Sequence, residues 1–287
     1  MGKIYVRPSQ VLGFDECPFA SYLQYVVGIK SASTSANLIF GTAIHYAIAK
    51  YIQALATGLP FDLEKAFLFK WKEQTEELEV QYNSTFTPED LVETGKRLCS
   101  LFPAAWTQTG LEPLVDKDGP LIERRLKVEI LPDVILSAEP DFVGVDQNGD
   151  IVVLDFKTPA TPASEDFALM SDQLTAYQIV VETHGKALGV DKVAKVGFMD
   201  LIKKKIPKTN RGTGPEIHQP TWAPGRTREE AGRYQQKVGW IAEDMRQGRY
   251  PKRPRMAFNS PCAMCDYAAF CIKGEKEGLI FPERKAA

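Results

Sequence analysis

The sequence predicts an α/β fold: a mixed central sheet flanked by helices, with a helical insertion, and with the N- and C-terminal segments joined by a metal cluster. Three observations carry this expectation. Strand-like patterning occupies residues 121–157, a helical stretch and another apolar strand follow it, and cysteines near both ends of the chain have chelating spacing.

The 287 residues, 44% of them hydrophobic, suffice for one sizeable core. No internal repeat divides them, so a single domain is expected over 1–287. Within it, 1–37 and 256–287 form the cluster-binding ends, 57–118 a helical insertion and 119–205 the core sheet. Residues 1–10 hold no basic start followed by an apolar stretch, and no apolar run reaches the roughly 18 residues of a membrane span. A cytoplasmic protein without membrane attachment is therefore expected. A formal net charge of -2 excludes a global attraction to nucleic acid. That leaves two local basic groups, Lys203, Lys204, Lys205, Lys208 and Arg211, and Arg246, Arg249, Lys252, Arg253 and Arg255. Each is either a solvated loop or a phosphate contact.

Along the chain, Ile44, Ile48, Ile52 and Leu55 recur at helical spacing within 38–56, with His45 at the edge of the stripe. A histidine there is either a hydrogen-bonded core residue or a ligand. The stretch 61–106 also has helical character, broken near its middle at Pro88. From residue 121 the period changes. Ile122, Leu126, Val128 and Ile130 alternate with Glu123, Arg125, Lys127 and Glu129, as in a half-buried strand, and Glu123 would then be a solvated residue of it. Strands at 134–145 and 151–157 follow, joined through Asn148-Gly149, and Ile151-Val152-Val153-Leu154 is apolar on both faces, as a covered central strand requires. A helix over 165–183 and a strand over 193–202 complete a crossover.

Asp155-Phe156-Lys157 ends the apolar strand, and Glu139-Pro140-Asp141 lies on the strand before it. Alone, an Asp-x-Lys triplet also describes a surface ion pair. Register adds information. If residues 146 and 150 close the hairpin, Asp141 faces Asp155 directly, and Lys157, two residues on, shares that face while Phe156 points into the core. A two-residue turn at Asn148-Gly149 would instead place the aspartates on opposite faces, so an odd-length loop with Gly149 in a left-handed conformation is expected. Two such carboxylates could bind Mg²⁺ or Mn²⁺, with Lys157 orienting a water or stabilising transition-state charge. Gln173 and Tyr177, four apart on one helix face, either pack or contact phosphate, sugar and base.

Cys262, Cys265 and Cys271 form a C-x2-C-x5-C group, and Cys17 is the natural fourth ligand. Cys99, among Leu98, Leu101 and Phe102, reads as a small buried residue. Spacing leaves structural Zn²⁺ and an iron–sulfur cluster equally open, because both accept four thiolates.

The order of these features resembles the RecB-like branch of PD-(D/E)XK nucleases, which includes the AddB nuclease domain and the CRISPR-associated RecB-like exonucleases. The match runs over nearly the whole chain, through Ser9 to Pro18, Gly41-Thr42-Ala43-Ile44-His45, Asp141, Asp155-Phe156-Lys157, Gln173 to Tyr177 and the terminal cysteines. It implies a restriction-endonuclease-like core in which His45, Asp141 and Asp155 bind the catalytic ion, with the Phe156 carbonyl as an additional ligand and Lys157 assisting hydrolysis. It also implies a DNA-side role for Gln173 and Tyr177 and a [4Fe–4S] cluster on Cys17, Cys262, Cys265 and Cys271. Glu123 corresponds to a family glutamate on the preceding strand. Glu139-Pro140 departs from the glycine-containing run that many members carry there. The activity implied is DNA exonuclease action on single-stranded or frayed ends, in repair, recombination, phage replication or CRISPR spacer processing. The alternative is a DNA-binding or scaffolding subunit beside a helicase or integrase-type partner.

Overall fold

A computed structural model describes residues 2–209, 212–254 and 260–283. Arg211 and Arg255 of the basic groups, and residues 256–259 and 284–287 of the expected C-terminal cluster-binding segment, lie outside the described residues. The fold is mixed α/β with a curled sheet, consistent with the restriction-endonuclease-like core. The strand Ile151–Lys157 lies at its centre, antiparallel to Phe142–Val145 on one side and parallel to Lys195–Ile202 on the other. The crossover between the parallel pair is helical, as parallel strands require. It is split into Glu165–Leu169 and Asp172–Thr183, because the Ser171 hydroxyl accepts the Leu174 N–H and starts a second helix. Val152, Leu154 and Phe156 pack into one apolar layer and Val153 into the other, so the central strand is covered on both faces.

The hairpin register is the expected one. Phe142 pairs with Leu154 and Val145 with Ile151, the Asp146 N–H donates to the Asp150 carbonyl, and Gly149 has φ 84°. Asp146 Oδ1 accepts from Asn148 N and Asp150 N, which closes the loop at odd length.

Two strand expectations change. The stretch 134–145 divides into Val134–Ala138 and Phe142–Val145, which lie in different sheets. Val134–Ala138 pairs with Ile4–Val6 and Leu126–Leu131 instead. The physical reason is Pro140, which has no N–H for a ladder and sits where the chain turns from one sheet to the next. Likewise the strand expected from residue 121 begins only at Leu126. Upstream, Ile122 makes one bridge to Phe142 and Glu123 turns the chain at φ 47°.

The layer on the Phe156 side is helical. Ala36–Thr57 starts at Ser35, whose hydroxyl accepts the Asn37 N–H, and ends at Gly58. Leu63–Glu77 and Pro88–Thr109 pack against it, with Pro88 in the first turn of the second helix, where its missing N–H costs nothing. Gly95 lets Phe67 approach this helix, since a Cβ there would meet the ring at 2.1 Å. A helix that the periodicity did not reveal, Arg228–Arg246, covers the other layer through Val238, Ile241 and Ala242. No helix among the described residues is long and apolar enough to cross a membrane.

Much of the basic residue complement is engaged within the protein. Lys203 donates to Asn37, Lys204 pairs with Glu216 and Lys205 with Asp90. In the second group Arg249 pairs with Asp244, Lys252 donates to the Cys271 carbonyl and Arg253 to the Asp15 carbonyl.

Candidate active site

Four elements meet at the end of the central strand. The Ala36–Thr57 helix brings His45, the turn at residues 121–125 brings Glu123, the bend between the two sheets brings Asp141, and the central strand brings Asp155 and Lys157. Asp141 is 8% exposed and Asp155 1%. Carboxylates buried this deeply require compensating partners.

Asp141 Oδ2 accepts the Phe156 N–H at 2.8 Å and lies 3.3 Å from His45 Nδ1. Glu123 Oε1 is 3.9 Å from the same nitrogen. His45, Glu123 and Asp141 each offer a ligand atom within 4.8 Å of the others, the one such set among the described residues. Glu123 therefore joins the centre from a left-handed backbone position, not from the solvated strand face its alternation suggested.

Asp155 turns toward the opposite wall. Its Oδ2 lies 2.7 Å from Lys157 Nζ, and its Oδ1 accepts from Gln173 Nε2 at 3.0 Å. Gln173 Oε1 in turn accepts from Lys157 at 2.9 Å, and Gln173 Nε2 also donates to Tyr177 Oη at 2.7 Å. Tyr177 is 6% exposed. Gln173 thus braces Asp155 against Lys157, and Tyr177 braces Gln173. Phe156 points into the core as expected, packed against Phe102 and Trp106.

The charge balance is that of a site short of positive charge. Burial raises the Asp155 pKa to about 6 with Asp141 adding to the effect, while Lys157 and His45 oppose it. Burial also raises Glu123, followed by the charge of Asp141. Burial works against a charged His45 ring, yet Asp141, Asp155 and Glu123 together lift it to about 9. Asp155 Oδ2 is buried and, despite its nearness to Lys157, accepts no well-directed hydrogen bond. Three carboxylates, an imidazole and an unfilled acceptor fit a divalent cation with hard oxygen ligands.

Four of the cysteines lie near the two ends of the chain. Cys17 separates the helices Pro8–Glu16 and Pro18–Ser21, and with Cys262 and Cys265 it lines a cavity of about 670 Å³. Cys271 lies on the helix Ala268–Lys273 next to this segment. All four are free thiols, and Cys99 is buried as expected. Burial, then the nearness of Cys17 and Cys262, raises the Cys265 pKa. The surrounding segments are tied together: Tyr267 Oη donates to the Ile29 carbonyl at 3.0 Å, and Leu279–Ile280 pairs with Lys30–Ser31. The Ser21 hydroxyl on the wall of this cavity is buried without a partner.

A family model described as the PD-(D/E)XK nuclease superfamily matches residues 6–272. No curated protein matches the chain. A solved structure described as "Crystal structure of SSO0001" aligns over 92% of this chain and 95% of that one, at 10% identity and a TM-score of 0.34, too low to bear on fold or function.

Proposed function

The chain belongs to the PD-(D/E)XK nuclease superfamily, and from that premise we propose that it is a RecB-like DNA exonuclease, acting on single-stranded or frayed ends, whose terminal cysteines hold a [4Fe–4S] cluster. The observation carrying the nuclease reading is the convergence of His45, Glu123, Asp141 and Asp155 beside Lys157, with Gln173 linking the last two.

His45, Asp141 and Asp155 would hold Mg²⁺ or Mn²⁺, with Glu123 as a further ligand or as the base that orients water. When bound, the ion acidifies a water and offsets the charge of the scissile phosphate. Lys157, paired with Asp155 and aimed by Gln173, stabilises negative charge on the phosphoryl oxygens as it develops. The Phe156 N–H fixes one Asp141 oxygen, which leaves the other oxygen and the His45 ring to set the ion's position. Retention of all these groups argues against a scaffolding subunit beside a helicase or integrase-type partner, which would need none of them.

For the cysteines, the resemblance of Cys17, Cys262, Cys265 and Cys271 to the ligands of the cluster-bearing RecB-like members supports a cluster over Zn²⁺, since four thiolates alone accept either. The cluster's role is structural, since it joins segments far apart in the sequence and so contributes to folding free energy.

Single strands labelled separately at each end test the activity. With Mn²⁺ the labelled end should be released progressively, and cleavage confined to internal positions would refute the exonuclease assignment. Anaerobically purified protein should be brown and contain iron. A colourless, zinc-containing protein would refute the cluster.

A further inference from the structure

We propose that an apolar shelf formed by Phe167, Met170 and Leu12 beside Lys157 binds an unpaired nucleobase of the strand being cut, stacked on the Phe167 ring; this deepens the nuclease reading and rests on it. Phe167 is 58% exposed, Met170 84% and Leu12 57%, all around one cavity lined also by Lys157, Gln173 and the buried Phe198. Large apolar side chains exposed together mark an interaction site.

Phe167 is held in place. Its ring rests on Phe198 with centroids 5.4 Å apart and planes at 37°, and Lys157 Nζ lies 5.4 Å from the Phe198 centroid. The ammonium proposed to face the scissile phosphate and the ring proposed to face a base therefore share one support. A nucleotide presents those two groups together, a charged phosphate and a flat π-face.

The shelf is also continuous with the reaction centre. The cavity containing His45 and Glu123 ends at Thr158, and Thr158 with Lys157 opens a second cavity of about 610 Å³, walled by Pro159, Pro162 and Phe167. Lys157 and Phe167 lead on to the third, where Met170 and Leu12 lie. A strand following this groove runs from His45 and Glu123 at one end to the shelf at the other. A base stacked within a duplex cannot reach such a shelf, which points to an unpaired end as substrate.

The test uses two oligonucleotides of equal length, one an ordinary single strand and one with every base removed, so that their phosphates match. Affinities are measured in an Asp155→Asn background, which prevents cutting. Phe167→Ala should weaken binding of the ordinary strand by about 10-fold, in line with the cost of losing one base–aromatic stack. It should leave the abasic strand unaffected, and Phe167→Trp should restore binding. The side chain is exposed, so equal melting temperatures should accompany these changes. Equal losses on both strands would overturn the proposal, as would no loss on either, the result expected if the shelf instead receives a protein segment. A Phe167 effect in a protein that cuts no DNA would refute the nuclease reading alone, while normal cutting without the effect would refute only the shelf.

Discussion

Asp141 Oδ2 accepts the Phe156 N–H at 2.8 Å at the rung where the backbone ladder between their strands ends. One carboxylate thus does two jobs, substituting for a backbone acceptor and presenting itself to His45. The two separate by mutation. Asp141→Asn keeps an acceptor for the Phe156 N–H and should leave the melting temperature nearly unchanged while weakening Mn²⁺ binding. Asp141→Ala leaves that buried N–H unpaired and should cost about 1–3 kcal/mol in denaturant unfolding as well. Equal stabilities of the two variants would contradict the dual role.

Glu123 holds a left-handed backbone, φ 47°, that a residue with a Cβ adopts at a cost. Glu123→Gly relieves the strain and removes the carboxylate. The variant should match or exceed the parent in thermal stability while losing activity, the pattern expected where local strain is retained for function. Reduced stability with activity intact would show that Glu123 serves the turn and not the site.

Gln173 touches both Asp155 and Lys157, and its loss should act through them. Gln173→Ala is expected to lower kcat or metal affinity by about 10–100-fold, as is usual for groups that orient metal ligands, with little change in KM for the strand. A rise in KM alone, read from steady-state kinetics, would instead assign Gln173 to strand binding.

The pH dependence of the metal-free protein follows from two raised pKa values. Asp155 titrates at about 6 in the folded chain against an ordinary 3.8, so the stability it contributes is full below the lower value and lost as pH rises through the higher. His45, raised from 6.5 to about 9, contributes fully below 6.5 and loses that contribution through 9. Both trends run the same way. The metal requires both groups deprotonated, so its stabilising effect grows as theirs fades. Melting temperatures in Mn²⁺ and in EDTA should therefore diverge progressively from about pH 6 to about pH 9. A constant gap would contradict the assignment of these groups to the ion.

The hairpin carrying Asp141 and Asp155 was legible because period-2 side-chain direction, once the loop length is chosen, leaves one register. The covered central strand, the crossover and the helix of His45 were legible from apolar periodicity, and Cys99 from its neighbours. Glu123 was misplaced for a physical reason. Alternation continues across residues 121–131, and nothing in that pattern marks the backbone reversal at one glutamate. Pro140 did carry a signal, a missing donor, that separates 134–145 into two strands. The pairing of Lys204 with Glu216 and of Lys205 with Asp90 depends on tertiary contacts that composition does not encode. Phe167 was invisible for a related reason, because only the fold reveals that an apolar helix residue faces outward beside Lys157.

A crystal soaked in Mn²⁺ and measured at the manganese absorption edge tests the central claim most directly. The account predicts an anomalous peak in contact with His45 Nδ1 and a carboxylate oxygen of Asp141, with Asp155 drawn toward it. A peak elsewhere, or none at concentrations of Mn²⁺ that support DNA hydrolysis, would contradict it.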